Sequence, residues 1–150
     1  MKLSFLIYGD CTLSADYIKI AITFTVANEI RFLKENIEIH KKNGVSKFFV
    51  FLDNCSDPTR TVLSGVDGVV LIEKPSDEEY ERIGLKKKLT CGMWYNKYPD
   101  KSYKDCYDIR KTRNMEIALE LSAKEGVSWL FTIDPDEIIY PVDSDNKPVK

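Results

Sequence analysis

The chain has 150 residues, of which 43% are hydrophobic and 31% charged; this suits one globular domain with its own core and excludes a disordered segment. Its net charge of −2, from 22 basic and 24 acidic residues, lacks the basic excess of a nucleic-acid binder. No apolar stretch approaches the ~20 residues of a membrane span, so no transmembrane segment is expected.

The start, Met1-Lys2 and then Leu3 to Tyr8, is cut short by Asp10 and reads as a first strand or extended arm rather than a secretory signal. Ile18 to Val26 is rich in β-branched residues and predicts a buried strand. Asn28 then offers a helix N-cap. The helix runs to about Lys42, with Ile30, Leu33 and Ile37 on one face, Lys41 and Lys42 suiting its C-terminal dipole, and Asn43-Gly44 as its stop. Phe48 to Leu52 predicts a second strand, Asp53 to Pro58 a turn-rich loop, Thr59 to Leu63 a short helix, and Val69 to Ile72 a third strand. This alternation predicts a parallel sheet with right-handed crossovers.

Pro75 to Asp108 is less regular. Asp77 to Lys88 suits an exposed helix. Trp94, Tyr95, Tyr98, Tyr103 and Tyr107 form an aromatic-rich stretch that either packs irregularly on the domain or lines a ligand crevice. Ile109 to Lys124 predicts a helix, with Met115, Ala118, Leu119 and Ser122 on one face and Gly126 at its end. A strand from Val127 to Ile133 follows. Ile138 to Tyr140 suits a further strand before a polar tail, Pro141 to Lys150. The whole reads as one domain over 1–150: an arm to residue 17, a core over 18–140 and a tail over 141–150.

Four places could carry chemistry. The strongest is Asp134-Pro135-Asp136-Glu137, at the carboxyl end of the apolar run Trp129 to Ile133. Ligands of parallel α/β sheets bind at that end of the strands. Clustered carboxylates repel one another unless a cation joins them, and a hard divalent cation shared with substrate phosphates is the usual one. A solvated acidic turn is the plainer alternative. The second place, Thr25-Val-Ala-Asn28-Glu29, puts small residues and a helix start after the first strand, suited to a nucleotide or simply to an ordinary capped helix. The third, Asp53, could accept from ribose hydroxyls or a base N–H, or could bond only the amides of its own turn. The fourth pairs Arg110 with Arg113 at i, i+3, either a diphosphate clamp or a solvated helix face.

Other residues carry less. His40, near the end of the first helix, reads as a partly exposed helix residue rather than a general base. Asp143-Ser-Asp145-Asn146 lacks the Gly and terminal Glu of a calcium loop and reads as polar tail. Cys11, Cys55, Cys91 and Cys106 contain no Cys-x-x-Cys pair, which points away from structural zinc and toward reduced thiols in a cytoplasmic protein. The chain has no Gly-x-Ser-x-Gly, no Walker-type loop and no Gly-x-Gly-x-x-Gly.

Taken in order, Thr25 to Glu29, the helix to Gly44-Val45, Phe49-Val-Phe-Leu-Asp53-Asn-Cys-Ser56-Asp-Pro-Thr59, Arg113-Asn114 and the Asp-x-Asp within Trp129 to Glu137 resemble the GT-A-fold glycosyltransferases of the family-2-like branch. The resemblance spans about residues 18 to 140. It implies an α/β nucleotide-diphospho-sugar transferase fold, a mostly parallel sheet flanked by helices, here lacking the C-terminal acceptor half. It implies metal-assisted, inverting transfer of a sugar from a nucleotide-sugar, UDP-linked, to the hydroxyl of a glycan or other acceptor. Thr25 and Asp53 would meet the nucleoside. Asn28 and Glu29 would shape the first loop, and Arg110 or Arg113 would face the diphosphate. Asp134 would approach the ribose or sugar, Asp136 with Asp134 would hold Mn²⁺ or Mg²⁺, and Glu137 would be a supporting or sugar contact. No residue matches the family's downstream catalytic base. Two other readings are a nucleotidyltransferase, disfavoured because Thr25 to Asn28 has neither Gly nor Lys, and a non-catalytic sugar-nucleotide-binding module.

Overall fold

The computed structural model describes residues 18–74 and 107–143, together with 145 and 147. The N-terminal arm, the charged segment from Asp77 to Lys88, the aromatic cluster from Trp94 to Tyr103, the thiols of Cys11, Cys91 and Cys106 and the last residues of the tail lie outside the described residues.

The described chain runs β1 (Ile20–Val26), α1 (Ile30–Lys42), β2 (Lys47–Leu52), α2 (Thr59–Leu63), β3 (Val69–Glu73), α3 (Tyr107–Lys124) and β4 (Trp129–Thr132). The four strands form one sheet in the order β3-β2-β1-β4. All pairings are parallel, with Ala21 opposite Lys47 and Leu130, and Phe48 opposite Val69. The expected α/β architecture, a parallel sheet flanked by helices, is therefore present.

Side chains alternate across β1 and β2, and this period of two builds two separate cores. Ile22, Phe24, Val26, Phe48, Val50 and Leu52 pack with Leu33 and Ile37 of α1 and Leu63 of α2 on one face. Ala21, Phe49 and Phe51 pack with Ala118 of α3 on the other, and Ile117, Leu121 and Leu130 close over them. Gly44, with φ 90°, ends α1, and Gly126, with φ 68°, ends α3, as expected from their positions. Gly68 carries φ 76° and lies so close to Ser46 that a Cβ there would sit 2.7 Å from the Ser46 carbonyl oxygen, so the entry to β3 accepts only glycine.

Three local expectations are corrected. Asn28 is not the N-cap of α1: it takes a left-handed conformation, φ 64°, and the cap position falls on Glu29, whose side chain caps nothing. The first helical amide, at Ile30, instead donates to Asp57 Oδ2 of the β2–α2 loop, at 3.2 Å. On α3, Leu119 is 61% exposed, and the buried face is formed by Ile109, Thr112, Arg113, Asn114, Ala118 and Ser122. Ile138 to Tyr140 forms no strand; the Ile139 backbone is bonded to His40 of α1 and to Asn43 at that helix's C-cap. Among the described residues, no helix is long and apolar enough to cross a membrane.

Candidate functional site

The sheet order sets where a ligand can sit. From β1 the chain steps to β2 and β3 on one side and returns to β4 on the other side of β1. The crossovers flanking β1 thus lie on opposite faces, α1 on one and α3 on the other. A crevice opens at such a switch point, beyond the carboxyl ends of the strands. Thr25 near the end of β1, Asp53 directly after β2 and the turn 134–137 after β4 all lie at that end.

The first turns of α3 face this crevice. Tyr107, Arg110, Lys111 and Asn114 share one side of the helix, spaced i, i+3, i+4 and i+7. The Tyr107 hydroxyl donates to the Thr25 carbonyl at 2.7 Å, and Asn114 Nδ2 donates to Thr25 Oγ1 at 3.1 Å. Arg110 Nε reaches both oxygens of Asp53 at 3.1 Å, and its Nη2 donates to Oδ2 at 2.9 Å. Lys111 Nζ pairs with Asp134 Oδ1. These contacts tie the ends of β1, β2 and β4 to one helix face.

The two arginines do not form a common clamp. Arg110 is bonded to Asp53, whereas the Arg113 side chain is 2% exposed and pairs with Glu116 at 3.0 Å. Their i, i+3 spacing allowed one face, but packing separates their partners.

Asn28 and Asp57 lock the two loops below the crevice together. Asn28 Oδ1 accepts from the backbone amides of Ser56 at 2.7 Å and Asp57 at 2.9 Å, and from Ser56 Oγ. Burial of the Asp57 carboxyl opposes ionisation, but hydrogen bonds from Thr59 Oγ1 and from the amides of Ile30 and Thr59 hold it below the usual carboxylate range. This fixes Glu29 between Asn28 and the start of α1.

The acidic turn closes on itself. Glu137 N–H donates to the Asp134 carbonyl at 3.0 Å, and Glu137 Oε2 accepts from Asp134 N–H at 2.8 Å. Asp136 is exposed and makes no hydrogen bond or ion pair with a described residue. Burial, joined by the negative charges of Asp134 and Asp136, pushes the Glu29 carboxyl above its usual range, while the Ala27 amide and Lys111 pull it back. Burial, together with the carboxylates of Glu29, Asp134 and Asp53, pushes the Tyr107 phenol up to about 12. Among the described residues, carboxylates thus surround Glu29 and Tyr107, with Arg110 paired to Asp53 and Lys111 to Asp134. Among the described residues, no three His, Cys, Asp or Glu side chains converge as a metal cage. Two carboxylates completed by phosphate oxygens and water are nonetheless an ordinary Mg²⁺ arrangement.

His40 departs from its reading as a partly exposed residue. It is fully buried, beside the equally enclosed Asn36. Its Nε2 accepts from Ile139 N–H at 2.9 Å, and its Nδ1 lies 2.7 Å from Asn36 Oδ1. Burial holds its pKa below the ordinary imidazole value, and the Asn36 hydrogen bond offsets this only in part. The sign follows by linkage: the unfolded chain takes up a proton near pH 6.5 that the folded ring resists. Stability is therefore expected to be insensitive to this group above about pH 7.5 and to fall as pH drops below about 6.5, by at most ~1.4 kcal/mol per pH unit. Urea unfolding at pH 7.5 and 5.5 checks this, and His40→Gln should flatten the difference.

Lys111 carries no motif of its own, although helical spacing from Arg110 points to it; Tyr107 and Asn114 stand in the sequence only as parts of an aromatic stretch and of the Arg113-Asn114 helix start. Asn36 and His40 also carried a signal. They sit at core positions of α1, beside Leu33 and Ile37, where polar residues need partners.

The chain is similar to two glycosyltransferase-like proteins of Arabidopsis thaliana. One is 30% identical over 110 residues, covering 70% of this chain and 20% of the relative. The other is 29% identical over 107 residues, covering 68% of this chain and 23% of the relative. The chain spans about a fifth of the length of these curated relatives. No protein-family model and no solved structure matches it.

Proposed function

We propose that this chain forms the donor-binding part of a metal-assisted glycosyltransferase of the GT-A type, moving a sugar from a nucleotide-diphospho-sugar, UDP-linked, to an acceptor hydroxyl with inversion. The observation that carries the reading is the acidic turn 134–137 at the carboxyl edge of the parallel sheet, with Lys111 paired to Asp134 and Arg110 paired to Asp53 on the same edge. The names of the two relatives support a glycosyltransferase-type function.

In this reading Asp136 is the principal metal ligand, because Asp134 already carries Lys111 as a partner. Asp134 is the second ligand. Mn²⁺ or Mg²⁺, when bound, supplies positive charge against the departing diphosphate. Lys111 lies one helical position from Arg110 and adds a donor to the same diphosphate. Asp53, held flat by Arg110, keeps lone pairs for a base N–H or ribose hydroxyl. Thr25 presents the wall of the nucleoside site, braced by Tyr107 and Asn114. Glu29, whose carboxyl burial and the neighbouring Asp134 and Asp136 hold above its usual range, would be drawn back toward that range by a cation.

Calorimetric titration of UDP with and without Mn²⁺, on the wild type and on Asp136→Ala, tests the reading. Binding that needs Mn²⁺ and weakens at least about tenfold in the variant, ~1.4 kcal/mol or more, is expected. Absence of any heat with millimolar UDP and Mn²⁺ would overturn it.

A further inference from the structure

We propose that Asn36 and His40, buried side by side on α1, are positioning residues that set the acidic turn through its backbone; the consequence for ligand binding rests on the donor-site reading above. Asn36 Nδ2 donates to the Pro135 carbonyl at 3.0 Å and to the Glu137 carbonyl at 2.6 Å. These carbonyls lie on either side of Asp136, so one amide group holds the 135–136 and 137–138 peptides and, through the short stretch between them, the direction of the Asp136 side chain.

His40 decides which way that amide points. Ile139 N–H can only donate, so Nε2 must be the unprotonated nitrogen and the ring proton resides on Nδ1. Nδ1–H then donates to Asn36 Oδ1 at 2.7 Å and lies 2.9 Å from the Asn36 carbonyl. With Oδ1 claimed by the ring, the amide nitrogen of Asn36 must face the turn; the flipped amide would set its oxygen against two carbonyl oxygens. Asn43 Nδ2 adds a bond to the Ile139 carbonyl at 3.1 Å, one helical turn further on.

Every one of these bonds to 135–139 ends on backbone, so the device is indifferent to the side chains at 135, 137 and 139. Asn36 and His40 are buried, and their polar atoms are spent on one another and on the backbone of 135–139. Their helix is itself pinned to the sheet by Leu33 and Ile37 and at its start by Asp57. The turn is thereby referenced to the rigid core rather than to the surface, which catalytic and binding groups need if they are to stay within about 0.5 Å of a working geometry.

The test uses Asn36→Leu, His40→Leu and His40→Gln, whose Oε1 can still accept from Ile139 N–H. Amide hydrogen exchange is read at 134, 137 and 139 and in β1 and β2, alongside Mn²⁺-dependent UDP affinity. The leucine variants are expected to speed exchange at 134, 137 and 139 at least about tenfold with β1 and β2 within twofold, to weaken UDP at least about tenfold, and His40→Gln to restore protection at 139. Unchanged exchange in the turn, or equal loss of protection across β1 and β2, overturns the proposal. Should the leucine variants fail to fold, the imidazole nitrogen spectrum of the wild type decides: a proton on Nδ1 with bare Nε2 supports it, and a proton on Nε2 overturns it. Wild-type protein that binds no UDP with Mn²⁺ would sink the donor-site reading alone, since the exchange data still judge the positioning role.

Discussion

Asp53→Ala is expected to destabilise the protein by about 3–5 kcal/mol, because it takes a bidentate carboxylate from a nearly closed ion pair. The Asp53 side chain is 3% exposed and that of Arg110 11%. Three N–H···O contacts join them in a bidentate fork. The pair itself adds little net stability, since desolvating both ions consumes most of their attraction. Removing one partner is different: the guanidinium keeps its desolvation cost and loses the Asp53 carboxylate. Its contact over the Tyr107 ring, 5.9 Å to the centroid, is worth only about 0.5–1 kcal/mol. Against a total stability of about 5–15 kcal/mol, a loss of 3–5 would be visible as a large fall in the urea midpoint. Asp53→Leu combined with Arg110→Met should recover most of it. Equal destabilisation of the single and double variants would show that the pair is not the cause.

Phe48→Ala is expected to cost a similar 3–5 kcal/mol by a different route. Phe48 is fully buried in the core between the sheet and α1, and it stacks on Phe24 with ring centroids 6.4 Å apart and planes 4° from parallel. Truncation removes apolar contacts and leaves a cavity that the surrounding strands cannot close, since β1 and β3 are both hydrogen-bonded to β2. The two variants separate at the site. Phe48 follows Lys47 at the start of β2, at the end of the strand opposite the crevice, so the folded fraction of Phe48→Ala should bind UDP with Mn²⁺ like the wild type. Asp53→Ala should lose affinity as well as stability. Calorimetry at a temperature where both variants remain folded distinguishes them.

The sequence by itself determined the elements and the layering. The β-branched and aromatic runs at Ile20–Val26, Lys47–Leu52 and Val69–Glu73 form strands within two residues of their expected ends, and α2 has its expected bounds. Those features are local: side-chain period, helix stops at Gly44 and Gly126, and short connections that force parallel pairing. The same locality let the residues at the strand ends be picked out as a group, because a parallel sheet places all carboxyl ends on one edge.

Tertiary structure decided what those residues do to one another. Asn28 has the type and position of a cap, but its side-chain oxygen is engaged by a loop 28 residues away, and the first helical amide is met by Asp57. Arg110 is separated from Asp53 by 57 residues, and Lys111 from Asp134 by 23, so no local rule could pair them. His40 looked exposed because its partner, the amide of Ile139, lies 99 residues on. Hydrogen bonds and ion pairs act over a few ångströms, and only the folded path of the chain brings such distant groups within that range.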